Sequence, residues 1–116
     1  MNLHNFISND KLRNAWIKER GISIYIRRSV RLLDPNSTTA TPCLDIGSVE
    51  VDEDERGKGI FTAFLSRFER EAEKIGRAVY VESILEPRLK KFLLKQGYQL
   101  VPNSSEMSPS MFKIPS

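Results

Sequence analysis

Residues 43–83 restrict the fold more than any other part of this chain. "CLDIGSVEV" (43–51) and "RAVYVES" (77–83) are apolar, strand-like runs. Between them lies "IFTAFLSRFEREAEKIG" (60–76), where Ile60, Phe64, Phe68, Ala72 and Ile75 recur at helical steps. Leu65 widens that stripe and Gly76 ends it. Strand, helix and strand in this order predict a right-handed crossover joining two parallel strands. At 116 residues the chain has room for one core, so a single domain over 1–116 is expected.

The first of these strands contains a slip. Leu44 and Ile46 alternate, and so do Val49 and Val51, but the pairs are out of phase by one residue. Both pairs share one face only if the strand carries an extra residue, which predicts a β-bulge at Gly47–Ser48.

The flanking segments read less sharply. "SNDKLRNAWIKER" (8–20) predicts a helix, with Leu12, Ala15 and Trp16 on one face, a Ser8 or Asn9 cap, and Gly21 as its stop. Trp16 is expected in the core. "ISIYIRRSVRL" (22–32) alternates as a strand, with Ile22, Ile24, Ile26, Val30 and Leu32 on one side, and Arg28 interrupting that side where the sheet meets solvent. "DPNSTTATP" (34–42) is a polar turn or loop. Pro87 opens a further helix whose apolar face is Leu89, Phe92, Leu93 and Gln96, with Gly97 as its stop. "YQLV" (98–101) and "MFKI" (111–114) form two last strands joined by the loop 102–110.

The turn "VDEDERGKGIFT" (51–62) carries the chemistry. A strand feeding a glycine turn into a helix start is an anion-binding arrangement, because the first helical N–H groups lack intrahelical partners and the dipole favours negative charge there. Gly57 and Gly59 permit close approach to the backbone, Arg56 and Lys58 add positive charge, and Thr62 adds a hydroxyl. The acidic run Asp52–Glu55 is accounted for by favourable placement before a helix, worth about 0.3–1 kcal/mol per carboxylate. The stretch is a poor match to a P-loop, since Gly59 follows Lys58 where that motif has Ser or Thr.

In this order the residues "VDEDERGKGIFTAFL" resemble the acyl-CoA-binding motif of the GNAT superfamily, the acetyl-CoA-dependent N-acyltransferases. Arg56, Gly59 and Phe61 stand at the three marked positions, Phe61 departing from the family's small residue; "LKKFLLKQGYQLV" (89–101) is similar to the family's helix–glycine–aromatic–strand ending. The resemblance covers about residues 43–102. It implies an α+β (mixed α/β) fold: a central mixed, mostly antiparallel sheet with a splayed parallel strand pair, and helices on both faces. It implies that acetyl-CoA is the cosubstrate. Val49, Glu50 and Val51 would offer backbone groups to the acyl and pantetheine part. Gly57, Lys58, Gly59, Ile60, Phe61 and Thr62, with Arg56 beside them, would bind the pyrophosphate. The chain is short for this family, with one strand fewer expected ahead of the bulged strand.

The activity so implied is direct transfer of an acetyl group to a primary amine: a protein lysine, an N-terminus or a small amine. Such an amine is protonated at neutral pH, and removing its proton costs about 4.6 kcal/mol, so a carboxylate base is needed. The candidates are Asp45, which matches with a small gap the position of a general-base glutamate in some members, Glu50 and Glu82. The N–H of Val51 is the candidate donor to the thioester carbonyl. The tyrosine that commonly protonates the leaving thiolate is replaced by Leu93, and the asparagine near that helix start by Glu86; Tyr98, Ser83 or water are the substitutes. These departures support a second reading, a catalytically inactive module that binds CoA or a protein partner. A homodimer or a partner would complete the substrate side.

The remaining features exclude more than they assign. The single cysteine, Cys43, rules out an internal disulfide framework and a cysteine-built zinc site, and no metal is expected. A net charge of +3 does not by itself point to nucleic acid; a third reading would use Arg27, Arg28, Arg31 and the basic late helix for it. With no secretory leader and no apolar run of membrane-spanning length, a cytoplasmic setting is expected.

Overall fold

In the computed structural model, which describes residues 1–34, 36 and 38–114, the elements follow in the order α1 (Leu3–Ser8), β1 (Asn14–Glu19), β2 (Ile22–Arg31), β3 (Thr41–Val51), α2 (Ile60–Lys74), β4 (Ala78–Val81), α3 (Pro87–Lys95), β5 (Gln99–Leu100) and β6 (Met111–Lys113). Pro35 and Ser37, within the expected 34–42 turn, lie outside the described residues. Six strands make one mixed sheet in the order β1-β2-β3-β4-β6-β5. The β3–β4 pair is parallel and the other pairs are antiparallel. The α2 crossover and the two short last strands are where the sequence placed them.

The N-terminal region departs from the sequence reading. A helix occupies Leu3–Ser8, capped by the Asn2 side chain accepting the Asn5 N–H at 2.8 Å. Residues 14–19, expected as helix, are an edge strand antiparallel to β2. Ile17, not Trp16, is the buried residue there; Trp16 is 43% exposed. The strand anticipated as missing is therefore supplied by this stretch. Gly21 closes a hairpin instead of stopping a helix, at φ +81°.

The sheet has two unlike faces. On one, Ile24, Ile26, Leu44, Ile46, Val79 and Val81 meet Leu3 and Phe6 of α1, Phe64, Leu65 and Phe68 of α2, and Leu93 of α3 in one buried cluster. The crossovers through α2 and α3 step across the sheet in the same direction, which puts both helices on the same side. The second face carries a smaller cluster of Leu33, Cys43, Ala78, Tyr80 and Phe112, and no helix lies on it among the described residues. The helices expected on both faces are gathered on one.

Arg28 points to the helix side instead of to solvent. Its guanidinium donates to the carbonyls of Leu12, Phe6 (3.0 Å) and Ile7 (3.2 Å) and stacks over the Phe6 ring at 4.4 Å, which ties α1 to β2. Val30 and Leu32, expected on the apolar face, are 65% and 59% exposed where β2 runs past the core. Among the described residues no helix is long and apolar enough to cross a membrane.

Candidate functional site

The bulge predicted from the slipped alternation is present. Tyr25 pairs with Ser48 and Ile26 with Ile46, so Gly47 is the extra residue on β3. It lets Leu44, Ile46, Val49 and Val51 all face the helix side. The cross-strand space at this point is tight. A Cβ at Gly47 would lie 3.1 Å from the Tyr25 ring, 3.3 Å from the Arg27 guanidinium and 3.4 Å from the Glu82 carboxylate.

At the same level the parallel pair comes apart. β3 and β4 pair from Cys43–Ala78 to Ile46–Val81, and a last bond runs from the Glu82 N–H to the Ile46 carbonyl at 3.0 Å. Beyond it β3 stays on β2 as far as Val51, while the chain after β4 turns the other way. Ser83 adopts φ +49°, its N–H donates to Ser110 Oγ at 3.1 Å, and the Ile84 N–H donates to the Pro109 carbonyl at 2.7 Å. The 109–110 segment thus draws this strand end away from β3. A groove of about 310 Å³ opens in the gap, walled by Ile46, Val49, Val81, Ile84 and Leu89 toward the helices and by Ser48 and Glu82 toward the open face. The antiparallel ladder alternates, and the Asp52 N–H is bonded to the Gly21 carbonyl of the β2 side. By that alternation the N–H and C=O of Val49 and Val51 face the gap, where no strand pairs with them.

A second hollow, of about 260 Å³, follows directly and is lined by Val51, Glu55, Arg56, Gly57, Gly59, Ile60, Phe61 and Thr62. The chain reaches it through a single 3₁₀ turn, Glu53–Glu55, seated on the β1–β2 hairpin: a Cβ at Gly21 would strike Glu55 Cγ at 2.8 Å. Gly57 (φ +82°) and Gly59 (φ +74°) take the left-handed backbone that turns the chain into α2. Gly59 is the N-cap, no side chain caps this helix end, and the first intrahelical bond runs from Ala63 N–H to Gly59 O at 3.0 Å. The N–H groups of Ile60, Phe61 and Thr62 are therefore presented to the hollow. Arg56 donates to the Val51 carbonyl at 3.4 Å, and Lys58 pairs with Glu55 at 3.4 Å. Phe61, the bulky departure from the motif, packs against the main cluster and lines this hollow, leaving the β3–β4 groove unplugged.

The three candidate carboxylates occupy three different environments. Asp45 is fully buried on the second face, where it accepts Arg27 Nε at 2.9 Å, Ser29 Oγ at 2.7 Å and Arg31 at 2.8 Å. Arg31 in turn lies 3.8 Å over the Tyr80 ring. Glu82 is half-buried at the groove and accepts the other arm of Arg27 at 2.6 Å. Glu50 is exposed on the open face. Arg27 therefore bridges the buried carboxylate and the one at the groove, a link the sequence reading did not make. Its signal was the placement of Arg27, Ser29 and Arg31 on one side of β2, opposite the acidic residue inside an apolar strand. With Arg27, Arg28 and Arg31 all engaged, the basic surface considered for nucleic acid loses its three β2 members.

The candidate proton donors are also placed. Leu93 is buried. Tyr98 is buried and its hydroxyl donates to Glu69 at 2.7 Å; burial, then the Glu69 carboxylate, push its phenol above the ordinary range. Ser83 is exposed and lines the groove. Cys43 is buried away from the groove, and burial raises its thiol to about 11.

No family model matches the sequence, and neither does any curated protein. Solved structures do match. The chain is similar to the KacTA–DNA complex (17% identity, TM-score 0.61, 81% of this chain and 58% of that one). It is similar to AtaTR bound with acetyl-CoA (16% identity, TM-score 0.60, 81% and 61%). It is also similar to the anti-CRISPR protein AcrVA5 (14% identity, TM-score 0.60, 88% of this chain and 100% of that one). The chain spans about three fifths of the length of the first two. At these identities the likeness is one of fold: the chain has a GNAT-like fold.

Proposed function

We propose that this protein binds acetyl-CoA between β3 and β4 and transfers its acetyl group to a primary amine. The observation that carries the reading is the loss of β3–β4 pairing after Ile46 and Val81, next to an uncapped, glycine-flanked helix start. The two hollows adjoin along Val49–Val51 and differ in chemistry as such a molecule requires. The first has apolar walls and a backbone edge that no strand pairs with, for an amide-bearing arm. The second has helix N–H groups and two cations for a diphosphate. When bound, acetyl-CoA supplies an activated acyl group as a thioester. The chain's own residues then do the rest. Val49 and Val51 hydrogen-bond the arm through their backbone. The Val49 N–H, in the groove beside Glu82, is the donor set to polarise the acyl carbonyl, in place of the Val51 N–H expected from the sequence, because Val51 lines the diphosphate hollow. Ile60, Phe61 and Thr62 N–H groups, with Arg56 and Lys58, hold the phosphates. Glu82, fixed by Arg27 at the groove, and Glu50 on the open face are the bases for the amine proton, directly or through water. Asp45 holds Arg27 and so positions Glu82.

A second reading, CoA binding without transfer, is favoured by one observation: Leu93 is buried where the family's tyrosine is usual, and the Tyr98 hydroxyl is committed to Glu69. Calorimetric titration with acetyl-CoA, paired with a free-thiol assay over a panel of primary amines, tests both. Binding with amine-dependent thiol release supports transfer. Binding without release supports the second reading, and no binding removes both.

A further inference from the structure

On the helix-free face, β-sheet register builds a row of side chains that leads to the groove. Trp16 stands opposite Tyr25, and Tyr25 opposite Ser48. All three point away from the core, because their neighbours Ile17, Ile24 and Val49 point into it. The Trp16 and Tyr25 rings lie 5.5 Å apart at 48°. Tyr25 reaches the mouth of the groove, since its ring and the Glu82 carboxylate flank the same glycine, at 3.1 and 3.4 Å from a Cβ placed on Gly47. The neighbouring row, Lys18, Ser23 and Glu50, encloses with Trp16 a hollow of about 350 Å³. The groove and this hollow adjoin at residues 48–50 of β3.

Two aromatic faces followed by carboxylates suit one chemical shape. An alkyl stem packs on the rings, a cation is attracted to their π faces, and a carboxylate completes the ammonium's hydrogen bonds. The positive groups nearby leave that preference standing. Arg27, 6.0 Å from the Tyr25 ring centroid, and Arg31 share Asp45 and Glu82 in a group of no net charge, and Lys18 lines the same hollow as Glu50, so the attraction for a cation rests on the two ring faces. We propose that Trp16 and Tyr25 form the acceptor platform: an apolar stem ending in a primary ammonium lies across the two rings and delivers its nitrogen between Glu50 and Glu82. This assignment rests on the reading that acetyl-CoA fills the β3–β4 groove, and it supplies the class of amine that meets it.

The chain has a single tryptophan, so Trp16 emission reports the platform directly. Nα-acetyl-lysine methylamide at millimolar concentration is expected to change that emission saturably. The norleucine analogue, with the same stem and no ammonium, is expected to leave it unchanged. In the thiol assay with the lysine probe, Trp16→Ala raises the acceptor KM roughly tenfold while the acetyl-CoA KM stays constant, and Trp16→Phe keeps most of the acceptor affinity. Circular dichroism checks that each variant is folded. An emission blind to the lysine probe, an equal response to both probes, or an unmoved acceptor KM in Trp16→Ala overturns the platform. If acetyl-CoA fails to bind while the lysine probe still shifts the emission, the platform stands and the transfer reading falls. If thiol is released normally while Trp16 stays silent, the platform alone falls.

Discussion

The two halves of the β3–β4 pair use the same strands for opposite purposes. From Cys43 to Ile46, β3 spends its outward backbone groups on β4, and the side chain of Asp45 is sealed under two guanidinium groups and a hydroxyl. From Gly47 to Val51 the outward groups of β3 meet no strand, and a groove lies in place of the ladder. One extra residue on β3, and a chain reversal at Ser83 on the other side, separate the two regimes. The contrast teaches that a groove is opened here by withholding pairing, beside a stretch where the same two strands stay fully paired.

The largest expected effect breaks the closed half. Asp45→Ala leaves Arg27 and Arg31 without their buried partner and is expected to cost about 3 kcal/mol, read as a lower urea midpoint. A midpoint near that of the parent would mean that the network does not hold the strands. The open half is tested by filling it. Gly47→Val forces a side chain against Tyr25 and Glu82 and is expected to weaken acetyl-CoA binding by about tenfold in calorimetry, with the fold retained.

Tyr98 is a control outside both halves. Its folded-state pKa is raised, so its contribution is complete below the unfolded value of about 10 and is lost above it, because the unfolded chain releases a proton that the folded chain keeps. Stability should fall by about 1.4 kcal/mol at pH 11, an effect that Tyr98→Phe removes. Ordinary phenol titration of all three tyrosines in the folded protein would contradict this and would return Tyr98 to the list of accessible acids. The smallest effect is Arg56→Ala, expected to weaken acetyl-CoA binding about threefold at low salt, and less as salt rises, because this cation is exposed.

Legibility differed between these regions for physical reasons. The bulge, the crossover and the glycine turn were written locally, in a phase slip, a helical period and two glycines that take left-handed backbone. β1 was not. Its inward-facing residues, the half-buried Ala15 and the buried Ile17, are separated by Trp16, which mimics a helical stripe with Leu12, and its strand state is decided by pairing with β2. The capped helix at Leu3–Ser8 had a readable signal in Asn2, Leu3 and Phe6 that the alternative helix overshadowed. Asp45 was a base candidate because it matches, with a small gap, the position of a general-base glutamate in the family the sequence resembles; its partners lie on another strand, Arg27 at 18 residues' separation, and only the register brings them together.

Hydrogen exchange along β3 tests the central claim most directly. Without ligand, the outward amides Leu44 and Ile46 should exchange slowly and those of Val49 and Val51 rapidly, although all four lie on one strand. On adding acetyl-CoA the Val49 and Val51 amides should become protected, with little change at Leu44 and Ile46. Uniform protection along β3 before ligand, or no change at Val49 and Val51 with acetyl-CoA in excess, would contradict the account.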